Sequence, residues 1–296
     1  MAVQFHVAHS AIVKGAGVIA GGPYYCAQGS LSIAYNNCMT PGVVTPLPAA
    51  AFLRDQAESL AKRQQIDATA NLGAAKAWLF TGTADHTVYP DVVRGLQDFY
   101  ALYKVKAVLV DGRPAGHAMI TTRSGNACGA TAPPFINDCD YDAAGHLLKH
   151  LLGLLAPVAK EEGRFVEFDQ AEFTGGDPEA ISLGAAGFVY VPKACESARC
   201  RVHVAFHGCR QEVGEIGDRF VREAGYNRWA DSNRLIVLYP QTAVRDGWSF
   251  RSWSFVWNPN ACWDWWGYTG AQYHTRNGAQ IRAVKAMLER LSAPRK

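Results

Sequence analysis

Three observations predict an α/β fold: a mainly parallel sheet with helices on both faces. Short apolar runs bounded by glycines or polar loops recur along the chain, as buried parallel strands require. Amphipathic helical patterns fall between those runs. No internal repeat and no Pro/Ser-rich linker interrupts the 296 residues, so one domain over 1–296 is expected.

The elements follow in order. Residues 1–13 (MAVQFHVAHSAIV) carry Val3, Val7 and Ala8 at helical spacing, with His6 and His9 expected on the exposed face. Residues 14–22 (KGAGVIAGG) read as a buried strand running into a loop that continues over 24–48. Residues 50–66 read as a helix and 77–81 (AWLFT) as a second buried strand. Residues 91–103 set Val92, Val93, Leu96, Phe99 and Leu102 on one helical face. A third strand over 105–110 leads into a loop over 111–140, and Asp142 is a candidate cap for a leucine-rich helix. Strands are then expected at 164–167, 187–191, 201–206 and 235–239, with helices near 217–224, around Trp229 and at 278–291.

Hydrophobic residues make up 49% and charged residues 19%, which excludes disorder as the main state. A net charge of +3 is too small to argue for a nucleic-acid partner or an anionic membrane. No apolar run reaches the roughly 18 residues that a membrane span needs. Eight cysteines form no C-x2-C pair, so disulfides fit better than zinc. Cys26 with Cys38, Cys128 with Cys139, and Cys195 with Cys200 are close in sequence, which leaves Cys209 and Cys262. Such bridges imply an oxidising compartment, secreted or periplasmic. Yet residues 1–13 have neither the basic start nor the long apolar core of a secretion signal. Six of the eight tryptophans lie between Trp248 and Trp266, which reads as a local aromatic platform.

Ligands of parallel α/β sheets bind at the carboxyl ends of strands, and three loops there carry chemistry. In GTADHTV (82–88), Asp85 reads either as a presented acid or as an Asx-turn residue. In DGRPAGH (111–117), His117 reads as a mobile general base or as a surface histidine. Acid before histidine on successive strand-end loops matches the order of a hydrolase triad. VAFHGC (204–209) ends a strand in His-Gly, like a loop donating a backbone N–H to an oxyanion, or like a plain strand exit. Cys209 reads as a disulfide partner of Cys262 in preference to a nucleophile. His146 and His150 stand at i and i+4, but no H-E-x-x-H and no third ligand accompany them, so no metal and no cofactor is expected. G-x-S-x-G is absent from the 296 residues, so acid, base and oxyanion candidates stand without a nucleophile.

GVIAGGPYYCA (17–27), GTADHTVYP (82–90), VAFHGC (204–209), GYNRWADSNRLIVLYPQ (225–241) and NPNACWDWWGY (258–268) occur in this order. Together they resemble the single-domain poly(3-hydroxybutyrate) depolymerases along nearly the whole chain. The resemblance implies a circularly permuted α/β-hydrolase, in which the oxyanion strand follows the nucleophile. It implies Asp85 as triad acid, His117 as base, the Cys209 N–H as oxyanion donor and Trp265 as an aromatic of the polymer-binding crevice. It supports the four cysteine pairs. The family's serine segment, of the form G-L-S-S-G-G-Y-M-A, matches its last two letters to Met1-Ala2, so the chain is expected to begin just after the nucleophilic serine. Alone it should then be nearly inactive. AMITTRSGNACG after His117 departs from the family's H-x-F-P-T. The implied activity is ester hydrolysis of poly(3-hydroxybutyrate) or its oligomers by a monomer. The alternatives are a non-catalytic polyester- or carbohydrate-binding relative and a feruloyl or acetyl esterase of related fold.

Overall fold

The computed structural model describes residues 1–158, 160–249 and 254–293. They form two compact units, Met1–Gly153 with Asp264–Gly278, and Leu154–Trp263 with the segment from Ala279 onward.

The first unit begins with helix α1 (Ala2–Ala8), which buries Val3, Phe5, Val7 and Ala8. Then follow β1 (Gly15–Ile19), α2 (Leu31–Cys38), α3 (Ala50–Lys62), β2 (Lys76–Gly82), α4 (Pro90–Leu102) and β3 (Lys106–Arg113). The strands form a parallel sheet in the order β1-β2-β3. Central β2 is buried from Ala77 to Gly82. Helix α4 covers the sheet with Val92, Val93, Leu96 and Phe99, each fully buried and worth about 1.5–3 kcal/mol of transfer free energy. Leu102, expected on that face, is exposed instead.

Short strands β4 (Met119–Thr121), β5 (Asn126–Ala127) and β6 (Ile136–Asp138) pair in parallel within the expected 111–140 loop. Helix α5 (Ala143–Leu152) follows, and the Asp142 carboxylate accepts the Gly145 N–H as its cap. Leu147 of α5 stands over Gly17, 2.0 Å from where a β-carbon would be, so β1 needs glycine there to admit the helix.

The second unit holds β7 (Arg164–Asp169), β8 (Ala186–Val191), β9 (Arg201–Val204), α6 (Val213–Ile216), α7 (Arg219–Glu223), α8 (Asn227–Asn233), β10 (Leu235–Tyr239), β11 (Arg245–Ser249), β12 (Ser254–Asn258) and α9 (Ala279–Ser292). Its sheet runs β7-β8-β10-β9. Here β9 and β10 are parallel, whereas β8 is antiparallel to both β7 and β10. The sheet is therefore mixed, a correction to the mainly parallel expectation. Periodicity reports that LIVLY is buried on both faces, not which way its neighbours run.

Other corrections are local. Residues 24–48 contain α2, capped by the Ser30 hydroxyl and tied at its end by Cys26–Cys38. The tryptophan segment contains the antiparallel hairpin β11–β12, with Trp248 opposite Phe255. His6 and His9 are buried, not exposed, and the His6 Nδ1 lies 2.9 Å from the Tyr100 hydroxyl. Among the described residues no helix is long and apolar enough to cross a membrane.

Four histidines, three of them buried and His203 half-buried, are held neutral. Desolvation pushes His6, His203, His207 and His274 down to about 4, Arg63 adding to the effect at His274. The unfolded chain, with ordinary histidines near 6.5, then binds more protons than the native one between about pH 6.5 and 4, so stability must rise with pH across that window. Urea denaturation of the chain at pH 7, 6 and 5 should show unfolding free energy falling stepwise below about 6.5. A flat profile from 7 to 5 would contradict the buried neutral rings.

Gly82 ends β2 where the chain meets residues 113–115. A β-carbon on Gly82 would lie 1.9 Å from the Ala115 carbonyl oxygen. Gly82→Ala should cost about 1–3 kcal/mol in chemical denaturation, since backbone must shift to make room. A change below about 0.5 kcal/mol would mean that the two segments separate easily.

Candidate active site

Asp85 and His117 lie 32 residues apart, yet they meet. The loop after β2 is zipped to the segment after β3: the Thr83 N–H donates to the Arg113 carbonyl at 2.7 Å and the Ala84 N–H to the Ala115 carbonyl at 3.2 Å. This ladder delivers the Asp85 Oδ2 to 2.9 Å from the His117 Nδ1. Asp85 is 1% exposed, whereas the His117 side chain retains 30% exposure. The other carboxylate oxygen, Oδ1, accepts the N–H groups of Thr87 and Val88, both at 2.9 Å. One carboxylate oxygen closes an Asx turn and the other faces the imidazole.

A carboxylate already taking two N–H donors accepts a third from the ring. His117 thus carries its proton on Nδ1 and keeps Nε2 basic, the state a general base needs. The His117 N–H donates to the Thr131 hydroxyl at 3.0 Å, and the preceding Gly116 N–H donates to the Cys128 carbonyl at 2.9 Å. Cys128 is bonded to Cys139, so the histidine loop is pinned from behind.

All four cysteine pairs are bonded: Cys26–Cys38, Cys128–Cys139, Cys195–Cys200 and Cys209–Cys262. Cys209 follows β9 in the second unit and is exposed, and its N–H has no hydrogen-bond partner among the described residues. That is the condition an oxyanion donor must satisfy in the resting protein. Ser10 is buried and donates its hydroxyl to the Ala68 carbonyl at 3.1 Å. His146 stacks on Tyr141 with ring centroids 4.5 Å apart, and the His150 Nε2 lies 3.0 Å from the Lys106 carbonyl oxygen, so each ring has a structural partner.

The described tryptophans of this segment differ in exposure. Trp248 and Trp257 are exposed on the hairpin, Trp263 and Trp266 are buried, and Trp265 is half-buried. Trp253 lies outside the described residues. Trp265 sits edge-on to Trp266 at 5.6 Å, in a turn of the first unit built by a residue the sequence reading passed over. The buried Asp264 carboxylate accepts the N–H groups of Gly267 (2.7 Å), Tyr268 (3.1 Å) and Thr269 (2.8 Å) and the Thr269 hydroxyl (2.6 Å). Burial raises its pKa, and those donors oppose the rise. An aspartate leading into W-W-G-Y-T-G, with Gly267 at φ +97°, was the available signal. The turn is fastened to α1 by the Gln4 side chain, which donates to the Asp264 carbonyl at 2.9 Å.

No protein-family model matches the chain. It is 40% identical over 302 residues to a protein of Delftia acidovorans named poly(3-hydroxybutyrate) depolymerase, and spans 99% of this chain but only 57% of that one. A polyhydroxybutyrate depolymerase of Talaromyces funiculosus is 35% identical over 305 residues, covering 98% of this chain and 86% of the relative. Among solved structures, that of a PHB depolymerase from Penicillium funiculosum matches with a TM-score of 0.85 and 32% identity over 97% of this chain and 90% of its own. A serine-to-alanine variant of a PHB depolymerase complexed with an R3HB trimer matches with a TM-score of 0.85 and 33% identity, over the same shares of 97% and 90%. The fold is accordingly α/β-hydrolase-like, with mixed sheets, flanking helices and disulfides. By sequence along its length and by structure, the chain belongs to the polyhydroxybutyrate depolymerase family.

Proposed function

We propose that the protein is a serine-type ester hydrolase acting on poly(3-hydroxybutyrate) or its oligomers. The observation that carries this reading is the Asp85–His117 pair, held at 2.9 Å on two strand-end loops. Membership of a family whose relatives are named as depolymerases of this polymer supports the substrate. The circularly permuted order of the fold is part of the proposal, as is the action of residues 1–296 as one catalytic domain.

The nucleophile in this reading is the serine expected upstream of Met1. Its hydroxyl oxygen attacks the ester carbonyl while the His117 Nε2 takes the hydroxyl proton. Asp85 keeps the imidazole in the Nδ1–H tautomer and stabilises the imidazolium that forms. The Cys209 N–H donates to the tetrahedral oxyanion, whose collapse expels the alcohol end of the cut chain with the proton returned by His117. Water, activated by the same histidine, then releases the acid end and the serine. Trp265 offers an aromatic face to the apolar polyester backbone. The four disulfides support an oxidising destination, secreted or periplasmic, and a monomer is the working state.

A chain extended upstream to include the family's serine segment should release 3-hydroxybutyrate oligomers from the polymer, and changing that serine to alanine should abolish release. In the extended chain, Asp85→Asn should keep KM and lower kcat by about 10⁴-fold, the cost of presenting the wrong histidine tautomer. Ordinary turnover by the 296-residue chain alone, or an Asp85→Asn variant with unchanged kcat, would overturn the assignment.

A further inference from the structure

The stretch 128–133, against which the His117 loop rests, is held by two asparagines that the mechanism above does not use. The sequence carries Asn-x-Cys twice, as Asn126-Ala127-Cys128 and as Asn137-Asp138-Cys139. Strands β5 and β6 set the two copies in parallel register, Asn126 against Asn137, and the Cys128–Cys139 bridge closes the pair just beyond. Strand β6 is the middle one of the order β4-β6-β5, and Asn137 on it is 0% exposed.

Both amides face the chain that joins the two copies. The Asn137 Nδ2 donates to the Cys128 carbonyl at 2.8 Å and to the Ala130 carbonyl at 2.7 Å. The Asn126 Nδ2 donates to the Ala132 carbonyl at 2.9 Å and to the Pro133 carbonyl at 3.3 Å. A carbonyl oxygen can only accept, so each amide must present its nitrogen there and not its oxygen. A disulfide fixes the ends of such a turn but leaves the peptide planes between them free to rotate. The two amides fix the planes at 128, 130, 132 and 133.

The same backbone meets the histidine. The Cys128 carbonyl held by Asn137 also accepts the Gly116 N–H at 2.9 Å, one donor for each lone pair. The Thr131 hydroxyl accepts the His117 N–H at 3.0 Å, and the carbonyls on either side of Thr131 are those taken by Asn137 and Asn126. The approach is close: a β-carbon on Gly116 would lie 2.3 Å from the Ala130 carbonyl oxygen. Residues 116 and 117 are thus fastened at two points, and the asparagine amides set both.

We infer that Asn126 and Asn137 are positioning residues of the general base: by fixing the 128–133 backbone they aim the His117 ring at Asp85, and they act through that backbone alone. This rests on the reading of His117 as the base.

Thr131 is exposed, so it tests the last link without disturbing the core. In the serine-containing extended chain, Thr131→Val removes the acceptor and should lower kcat by about 3- to 10-fold with KM within about twofold. Thr131→Ser retains the hydroxyl and should keep kcat within about twofold of the parent. Asn126→Ala should lower kcat by about 3- to 10-fold, and Asn137→Leu, of similar volume without a donor, by about 10- to 100-fold, again with KM little changed. Asn126 is half-buried on an edge strand, so its variant keeps the test open if Asn137→Leu does not fold. Parental kcat in Asn126→Ala, equal kcat in the two Thr131 variants, or a loss confined to KM would overturn the role. A measurement independent of activity uses the 296-residue chain with ¹⁵N-labelled histidine at pH 8, where an ordinary imidazole is neutral. His117 should appear as the Nδ1–H tautomer in the parent and as a mixture of both neutral tautomers in Asn126→Ala and Asn137→Leu. An unmixed Nδ1–H signal in those variants would also overturn it. If the extended parent is inactive while the tautomer change is seen, the functional reading fails and the positioning of His117 stands.

Discussion

The carbonyl oxygen of Ala115 occupies the space that a side chain at position 82 would need. That contact lets the end of β2 and the segment after β3 approach closely enough to exchange backbone hydrogen bonds beyond the sheet. The ladder continues for two residues past β2 and sets Asp85 down beside His117. Neither loop would hold its residue alone. The Asp85 side chain is spent on ordering its own turn, and His117 is steadied by Thr131 and by the Cys128–Cys139 loop. A buried acid held by two backbone donors on one oxygen has its orientation set, and that orientation selects the ring tautomer.

Much of this was legible in the order of residues, and the limits have physical causes. Strands such as AWLFT and LIVLY are continuous apolar runs buried on both faces, so their presence is written in composition. Their direction is not, because a strand buried on both faces has the same composition whether its neighbours run parallel or antiparallel. Asp85 and His117 stood out because chemistry-bearing residues at strand ends are few. Helix α2 was hidden because LSIAYNNC is weakly amphipathic and depends on the Ser30 cap and a disulfide. Burial of His6 was hidden because a polar residue at a helical position reads as exposed unless its partner is known. That partner, Tyr100, is 94 residues away.

The two units handle polarity in different ways. In the first, the Asp85 carboxylate is buried and the His117 ring keeps access to solvent. In the second, the stretch around Gly208 rests on buried neutral groups: His207, Gln211, Thr242 and Gln241 satisfy one another and the backbone. Neutral donors and acceptors hold the backbone dipoles in place without adding a fixed charge. The Asp264 turn follows the same logic in reverse, using one buried acid to gather three backbone N–H groups and so present Trp265 from a rigid bend.

The spans of the disulfides differ sharply. Three bridges join cysteines 5, 11 and 12 residues apart, and the fourth joins Cys209 to Cys262 across 53. Closing the longer loop costs about 1–2 kcal/mol more in chain entropy, so in an unfolded, oxidising chain the short bridges form first and the correct long one waits for tertiary structure to gather its ends. A molecule with three bridges closed would keep the histidine loop secured while the strand exit beyond β9 stayed loose. Chain entropy alone thus favours securing the loop behind His117 before the strand exit beyond β9.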